Sequence, residues 1–160
     1  HTPQAALLQP GTLVLVVCPL VALMNDQLEN LPPCVTGAAL NSHMSQQEQN
    51  EIVESVRAGR TRILFVSPEK LATSYFARLC ATFPPISLAC IDEAHCVSEW
   101  SHNFRVFPPP PHKQPQSFLR TNKTNRTSYL RLNYLLRNKI GARCILGLTG
   151  IWPLIIVLWL

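Results

Sequence analysis

Residues 86–95 read ISLACIDEAH, and this stretch decides the fold of the chain. Its first six residues form a short run without polar alternation, which is typical of a strand covered on both faces. Two adjacent carboxylates, Asp92 and Glu93, follow this strand directly, and His95 comes two residues later. Because ligand sites of open α/β sheets lie beyond the carboxyl ends of strands, these side chains are candidates for chemistry.

Short apolar runs and helical patterns alternate along the rest of the chain. This alternation predicts an α/β domain with a mostly parallel sheet and right-handed crossovers. The predicted strands are Leu13–Cys18, Ile63–Ser67, Ile86–Ile91 and Arg143–Leu148. The predicted helices are Leu20–Leu31, Ser45–Arg57, which opens with a capping box, Pro68–Leu79 and Tyr129–Ile140.

Composition and charge narrow the class of protein. The 160 residues are 47% hydrophobic and 14% charged, which fits one domain with a core. All nine acidic residues lie at or before Glu99, whereas nine of the fourteen Lys and Arg lie at or after Arg105. A basic half without carboxylates favours a polyanionic partner. The alternatives are a solvated basic surface and a disordered basic stretch.

Cysteine spacing and hydropathy argue against several other classes. The six cysteines form no C-x-x-C pair, so neither a zinc site nor a disulfide framework is predicted. The apolar tail Ile151–Leu160 has ten residues, which is too short to span a membrane. We therefore expect no membrane partner.

The two carboxylates suit a nucleotide-hydrolysing site. In such motors the first acid after the strand holds Mg²⁺, and the second orients or activates the attacking water. The structural alternative is a helix N-terminus capped by the two acids. Beyond them, Trp100, Phe104 and Arg105 combine aromatic rings with positive charge, which suits single-stranded nucleic acid. A core-packing loop is the alternative for these three residues.

Four segments resemble the RecQ family of DNA helicases. Residues 92–105, DEAHCVSEWSHNFR, closely resemble its DEAH box and the adjoining aromatic-rich loop. Residues 16–27, VVCPLVALMNDQ, resemble helicase motif Ia, and residues 64–71, LFVSPEKL, resemble motif Ib. Residues 146–149, LGLT, are similar to the start of motif III. The turn at residues 31–34, LPPC, and the sequence of residues 100–105, WSHNFR, favour the fourth RecQ subfamily, the Rothmund–Thomson type.

The resemblance implies an incomplete RecA-like lobe of an ATP-dependent 3′-to-5′ DNA helicase that acts in nuclear replication and repair. By this resemblance Asp92 would hold Mg²⁺, Glu93 would serve the water, and both would belong to the ATP site. His95 would relay the nucleotide state. The implied contacts with single-stranded or forked DNA, including residues that couple hydrolysis to DNA, are Pro19, Leu20, Ser67, Pro68, Glu69, Trp100, Phe104 and Arg105.

Three departures from the family pattern shape the expected domain organisation. Residues 1–160 contain no Gly-Lys-Ser/Thr phosphate loop, which the family has just upstream of the position of Ala5. A proline-rich segment, 106–127, interrupts the match, and a non-family apolar tail occupies 150–160. We expect a partial helicase ATP-binding domain over 1–149 with a disordered insert at 106–127. Our hypothesis is that the insert and the tail are translated intron.

The departures leave two alternatives to a working motor lobe. One is an ATPase-silent fragment that binds nucleic acid through its basic half. The other is a truncated product that does not fold stably, because an incomplete sheet leaves open edges and apolar surface.

The isolated 160-residue polypeptide is expected not to hydrolyse ATP. Without backbone amides and a lysine around the phosphates, affinity for ATP should collapse. A Mg²⁺-dependent, DNA-stimulated ATPase assay of the purified polypeptide measures this. Activity that is abolished by Glu93→Gln would contradict the expectation.

Overall fold

The computed structural model describes residues 11–96 and 131–148. Within them, five strands form one parallel sheet in the order β2-β3-β1-β4-β5. The predicted insert at 106–127 and the tail at 150–160 lie outside the described residues. The strands are β1 (Leu13–Val17), β2 (Gly37–Leu40), β3 (Ile63–Val66), β4 (Ile86–Ile91) and β5 (Cys144–Gly147).

Four of the five strands were predicted, and β2 was missed. Its sequence, GAAL, is short and built from small residues, so it lacks the β-branched content that marks the other strands. β2 pairs only with β3 among the described strands, and three of its four residues are partly exposed. A Cβ atom at Gly37 would lie 2.5 Å from Leu31 Cδ1, so a side chain at this position would force the preceding leucine side chains to shift.

The helices follow the predicted alternation, with two corrections. They are α1 (Val21–Glu29), α2 (Gln46–Arg57), α3 (Pro68–Leu71), α4 (Ser74–Cys80) and the π-helical α5 (Leu135–Lys139), which continues α-helical residues 131–134. The single helix predicted over Pro68–Leu79 was wrong, because the Thr73 hydroxyl accepts a hydrogen bond from Phe76 N (3.1 Å) and starts α4 as a new helix. The helix predicted over Tyr129–Ile140 is present in the described residues from 131 onwards, but Leu135–Lys139 are π-helical rather than α-helical.

Both faces of the sheet are buried, as the continuous apolar strands predicted. One face packs alternate residues of β1 with Phe76 of α4 and with Leu132 and Leu135 around α5. The other face carries Cys18 and packs against Met24 of α1, and both of these residues are fully buried. Within the described parts of the chain, no helix is long and apolar enough to cross a membrane.

The capping box of α2 should control how readily its first turn opens. The Ser45 hydroxyl accepts from Glu48 N (3.3 Å), and the Glu48 carboxylate accepts from Ser45 N (2.8 Å). Ser45→Ala should destabilise this turn by about 1 kcal/mol and speed its amide hydrogen exchange roughly fivefold. Ser45→Asp, which keeps an acceptor and adds favourable charge, is the control. Equal exchange in the alanine variant and the wild type would contradict this.

Native-state alkylation should separate the thiols by burial. Burial raises the pKa of Cys80 and of Cys90 to about 12, so both thiols stay protonated and shielded at pH 8. Cys34 and Cys144 are exposed. Iodoacetamide at pH 8 should label the exposed pair and leave Cys80 and Cys90 unmodified, as mass spectrometry of peptides would show. In denaturant all four should react, and labelling of Cys90 in the native protein would contradict the described core.

Candidate functional site

The candidate site lies at the carboxyl edge of the sheet, where the loops after three neighbouring strands meet. The parallel ladder continues past the strand ends: Asp92 N donates to Val17 O (2.9 Å), and Cys18 N donates to Val66 O (3.1 Å). Adjacent strands lie about 4.8 Å apart. The loop after β1 therefore lies between the segment after β3 and residues 92–95, which follow β4.

Asp92 is held by hydrogen bonds to both of its carboxylate oxygens. Oδ1 accepts from the backbone N–H of Glu93 (3.1 Å), and Oδ2 accepts from Gln27 Nε2 of α1 (2.9 Å). A carboxylate has about four lone-pair positions, so each oxygen keeps acceptor capacity. The carboxylate plane is thus fixed while both oxygens can still bind a cation.

Glu93 has an unusual backbone conformation. Its φ of 50° makes it the one non-glycine residue with positive φ among the described residues. Such a conformation costs on the order of 1–3 kcal/mol and is concentrated at functional sites. On the far side of the turn, Ala94 N donates to Leu148 O beyond β5 (2.7 Å). Residues 92–95, which we call the acidic turn, are therefore hydrogen-bonded to the end of β1 through Asp92 and to the end of β5 through Ala94.

His95 lies beside Glu93 within the same turn. Its Nδ1 is 3.2 Å from Glu93 Oε2, and the two side chains are 40% and 33% exposed respectively. Both groups can therefore contact a bound ligand as well as each other. The structure brings together Asp92, Glu93 and His95, the three side chains that the sequence singled out for chemistry.

The residues predicted to contact DNA after β1 and β3 differ in exposure. Leu20 is 57% exposed, and Glu69 is also exposed. Ser67 and Pro68 are buried, and the Ser67 hydroxyl accepts from Lys70 N (3.3 Å) as the N-cap of α3. Pro19 is half-buried. The backbone at these positions lies along the carboxyl edge, but two of the five side chains serve the local fold.

Three of the predicted coupling residues, Trp100, Phe104 and Arg105, lie outside the described residues. Their position relative to the acidic turn stays a prediction.

Two residues at the site were not predicted from the sequence. Gln27 contacts Asp92 from 65 positions away, and no local pattern indicates such a contact. Cys18 is fully buried beside the same carboxylate. Burial, with the negative charge of Asp92 as a further cause, raises the pKa of Cys18 to about 11. Both residues fall in the stretch that resembles motif Ia, which was the only signal available.

A second unpredicted feature adjoins the loop after β3. Tyr75 of α4 is 42% exposed, and Lys70 Nζ lies 5.7 Å from the centroid of its ring. The Lys70 ammonium also donates to Gln49 Oε1 of α2, and partial burial lowers its pKa. A cation over an exposed ring at this edge is compatible with a nucleic-acid surface.

The donor chemistry of the acidic turn fits Mg²⁺. This ion prefers hard oxygen ligands and is usually bound through one or two carboxylates, with water and substrate phosphates completing its shell. Asp92 and Glu93 supply such carboxylates. No cluster of three or more His, Cys, Asp or Glu side chains suited to a metal occurs in the ranges 11–96 and 131–148. The two carboxylates of Asp92 and Glu93 are thus the donor groups that suit a Mg²⁺ ion.

Comparison with known proteins agrees with this geometry. The sequence profile of the DEAD/DEAH box helicase family matches residues 3–107. The ATP-dependent DNA helicase Q4 of Homo sapiens is 38% identical over 138 residues, which cover 86% of this chain and 10% of that protein. The ATP-dependent DNA helicase Q-like 5 of Arabidopsis thaliana is 39% identical over 146 residues, covering 91% of this chain and 14% of that protein.

The fold comparison points the same way. The helicase domain of Pyrococcus furiosus Hef superposes with a TM-score of 0.52 at 12% identity, covering 94% of this chain and 24% of that one. At this identity the likeness concerns the α/β fold alone, and it confirms the predicted RecA-like architecture.

These comparisons confirm the resemblance to RecQ helicases that residues 92–105 indicated. The chain spans about a tenth of the length of the Q4 helicases that it matches. The relatives are helicases of the RecQ group, and the family profile covers about two thirds of the 160 residues. The chain is part of a helicase domain and belongs to the DEAD/DEAH box helicase family.

Proposed function

We propose that this chain supplies the metal- and water-handling part of the ATP site in a RecQ-type helicase that unwinds DNA in the 3′-to-5′ direction. The observation that carries the proposal is the Asp92–Glu93–His95 turn, held at the carboxyl edge beside the loops after β1 and β3. The relatives named above are ATP-dependent DNA helicases, which supports ATP as the nucleotide and DNA as the partner. We extend this to a nuclear role in replication and repair.

Asp92 is the proposed Mg²⁺ ligand. Its two oxygens are oriented by hydrogen bonds from Glu93 N and Gln27 Nε2. The carboxylate is therefore already oriented before Mg²⁺ and nucleotide bind. When bound, Mg²⁺ supplies neutralisation of phosphate charge. Orientation before binding matters because hydrolysis of this kind depends mainly on positioning and electrostatics.

Glu93 is the proposed residue that orients the attacking water and accepts its proton. The positive φ of Glu93 and the hydrogen-bonded backbone of Asp92 and Ala94 on either side fix the direction in which the Glu93 side chain leaves the backbone. One third of this side chain is exposed. His95 contacts Glu93 directly, so a displacement of the His95 side chain would alter the placement of the Glu93 carboxylate. This contact supports a role for His95 in relaying the nucleotide state.

The proposed DNA path runs along the same edge, across the loops after β1 and β3. Leu20 is exposed there, and Glu69 is exposed in the first turn of α3, which follows β3. An apolar side chain that is not needed in the core can pack against sugar or base. Trp100, Phe104 and Arg105 are proposed to extend this surface, because aromatic rings and a guanidinium suit stacked bases and phosphates.

The second candidate function is binding of nucleic acid without ATP hydrolysis. The observation that favours it is that nine Lys and Arg follow position 104 with no carboxylate among them. Binding of single-stranded DNA by the isolated chain that weakens steeply with salt, without ATPase activity, would favour this candidate.

Glu93→Gln, introduced into the full-length helicase of which this chain is proposed to form a part, is the central test of the proposed function. The substitution keeps the size of the side chain but removes the proton acceptor, so DNA-stimulated ATP hydrolysis should fall at least about a hundredfold. Nucleotide binding should change little. Steady-state ATPase and strand-displacement assays with and without single-stranded DNA measure the effect.

Glu51→Gln is the matched control, because Glu51 is an exposed glutamate on α2, and β3 and β1 separate the preceding strand, β2, from β4. It should retain wild-type rates. Full activity of the Glu93→Gln variant would remove the proposed role of Glu93. Absence of any ATP hydrolysis by the wild-type full-length protein would overturn the proposed function itself.

A further inference from the structure

The side chain of Gln27 connects α1 to the acidic turn. Gln27 Nε2 donates to Asp92 Oδ2 at 2.9 Å, which is within the range of a good hydrogen bond to a carboxylate. Gln27 is half-buried, as is Asp92, so water screens the contact only in part. A hydrogen bond to a charged group in such a place contributes more than one on the surface.

The rest of α1 is held in place without this contact. Met24 is fully buried against the sheet, and the side chains of Leu28 and of Leu31, which follows the end of α1, pack against Gly37 of β2. These apolar contacts anchor the helix through the hydrophobic effect. An amide is therefore not needed at position 27 to fix α1, whereas its donor is directed at the carboxylate that is the proposed Mg²⁺ ligand.

The neutrality of the donor is chemically significant. A lysine or arginine at this position would orient Asp92 equally well, but its charge would offset the charge that attracts Mg²⁺. A glutamine amide fixes the carboxylate plane, leaves the net charge unchanged and leaves lone pairs on Oδ2 free. This combination suits a residue that holds a metal ligand from outside the coordination shell.

We propose that Gln27 is a positioning residue, which orients the Asp92 carboxylate for Mg²⁺ bound together with nucleotide. The inference rests on the proposed function and deepens it by assigning a role to a residue outside the DEAH turn. Gln27 itself does not touch the metal or the nucleotide. Its loss should weaken the binding of the metal and leave the chemical step intact once metal is saturating.

The test measures metal binding directly in the full-length protein. Mn²⁺, which prefers similar oxygen ligands to Mg²⁺ and is visible by electron paramagnetic resonance, is titrated into protein with bound non-hydrolysable ATP analogue. Gln27→Leu removes the donor at similar side-chain size. It should raise the Kd for Mn²⁺ about tenfold, as expected for loss of a hydrogen bond to a charged group.

Further measurements separate positioning from a merely structural role. The affinity for nucleotide without divalent cation and the thermal unfolding midpoint should stay at wild-type values. The Mg²⁺ concentration for half-maximal ATPase should rise in parallel with the Mn²⁺ Kd, and kcat at saturating Mg²⁺ should recover to within about twofold of the wild type.

Gln47→Leu provides a matched control on α2. Gln47 Nε2 donates to the Glu51 carboxylate (3.3 Å) on the exposed face of that helix, so it repeats the amide–carboxylate pair away from the site. This variant should leave the Mn²⁺ Kd unchanged. Gln27→Met serves as a second variant without a donor, should the leucine variant fold poorly.

The outcomes distinguish this inference from the proposed function. Wild-type affinity for Mn²⁺ in Gln27→Leu and Gln27→Met would overturn the role of Gln27 and leave the proposed function standing. A defect in kcat that saturating metal does not correct would also overturn it. If wild-type protein with bound nucleotide takes up no Mn²⁺, the proposed function falls, and the role of Gln27 falls with it.

Discussion

The parallel pairing of β1 with its two neighbours is the constraint on which the rest of the structure depends. The hydrogen bonds from Cys18 N to Val66 O and from Asp92 N to Val17 O extend this pairing beyond the strands themselves. Three segments that are far apart in sequence therefore leave the sheet at the same level. Parallel strands always bring their carboxyl ends to one edge, so the place of the site follows from topology before any side chain is considered.

Much of this architecture could be predicted from the sequence, because buried parallel strands are continuous apolar runs. β1, β3, β4 and β5 have this signature, and the capping box at Ser45 marked the start of α2. β2 escaped prediction because it has only four residues and Leu40 is the one large apolar side chain among them, so no apolar run marks the strand. The break at Thr73 escaped because a local hydroxyl cap outweighed the apolar periodicity on either side.

The site was predictable to the extent that it is local in sequence. Asp92, Glu93 and His95 are contiguous with β4, so their proximity follows from the chain itself. The Gln27–Asp92 contact depends on how α1 crosses the sheet, which is a property of the tertiary packing. The positive φ of Glu93 is similarly invisible in a sequence, because glutamate has no preference for that conformation. Local chemistry is therefore predictable here, whereas its orientation is not.

The electrostatic surroundings of Asp92 explain why the turn suits a cation. Two neutral donors hold this carboxylate, a backbone amide and the amide of Gln27, and the buried thiol of Cys18, which donates to Leu20 O (3.6 Å), lies nearby. Because burial and the nearby negative charge raise the pKa of Cys18 to about 11, the thiol stays protonated near neutral pH and adds no second charge. The surface carboxylate of Glu54, in contrast, pairs with Arg57 at 2.7 Å. A pair of that kind at Asp92 would satisfy its charge internally. Neutral donors fix the geometry and leave the charge for a metal.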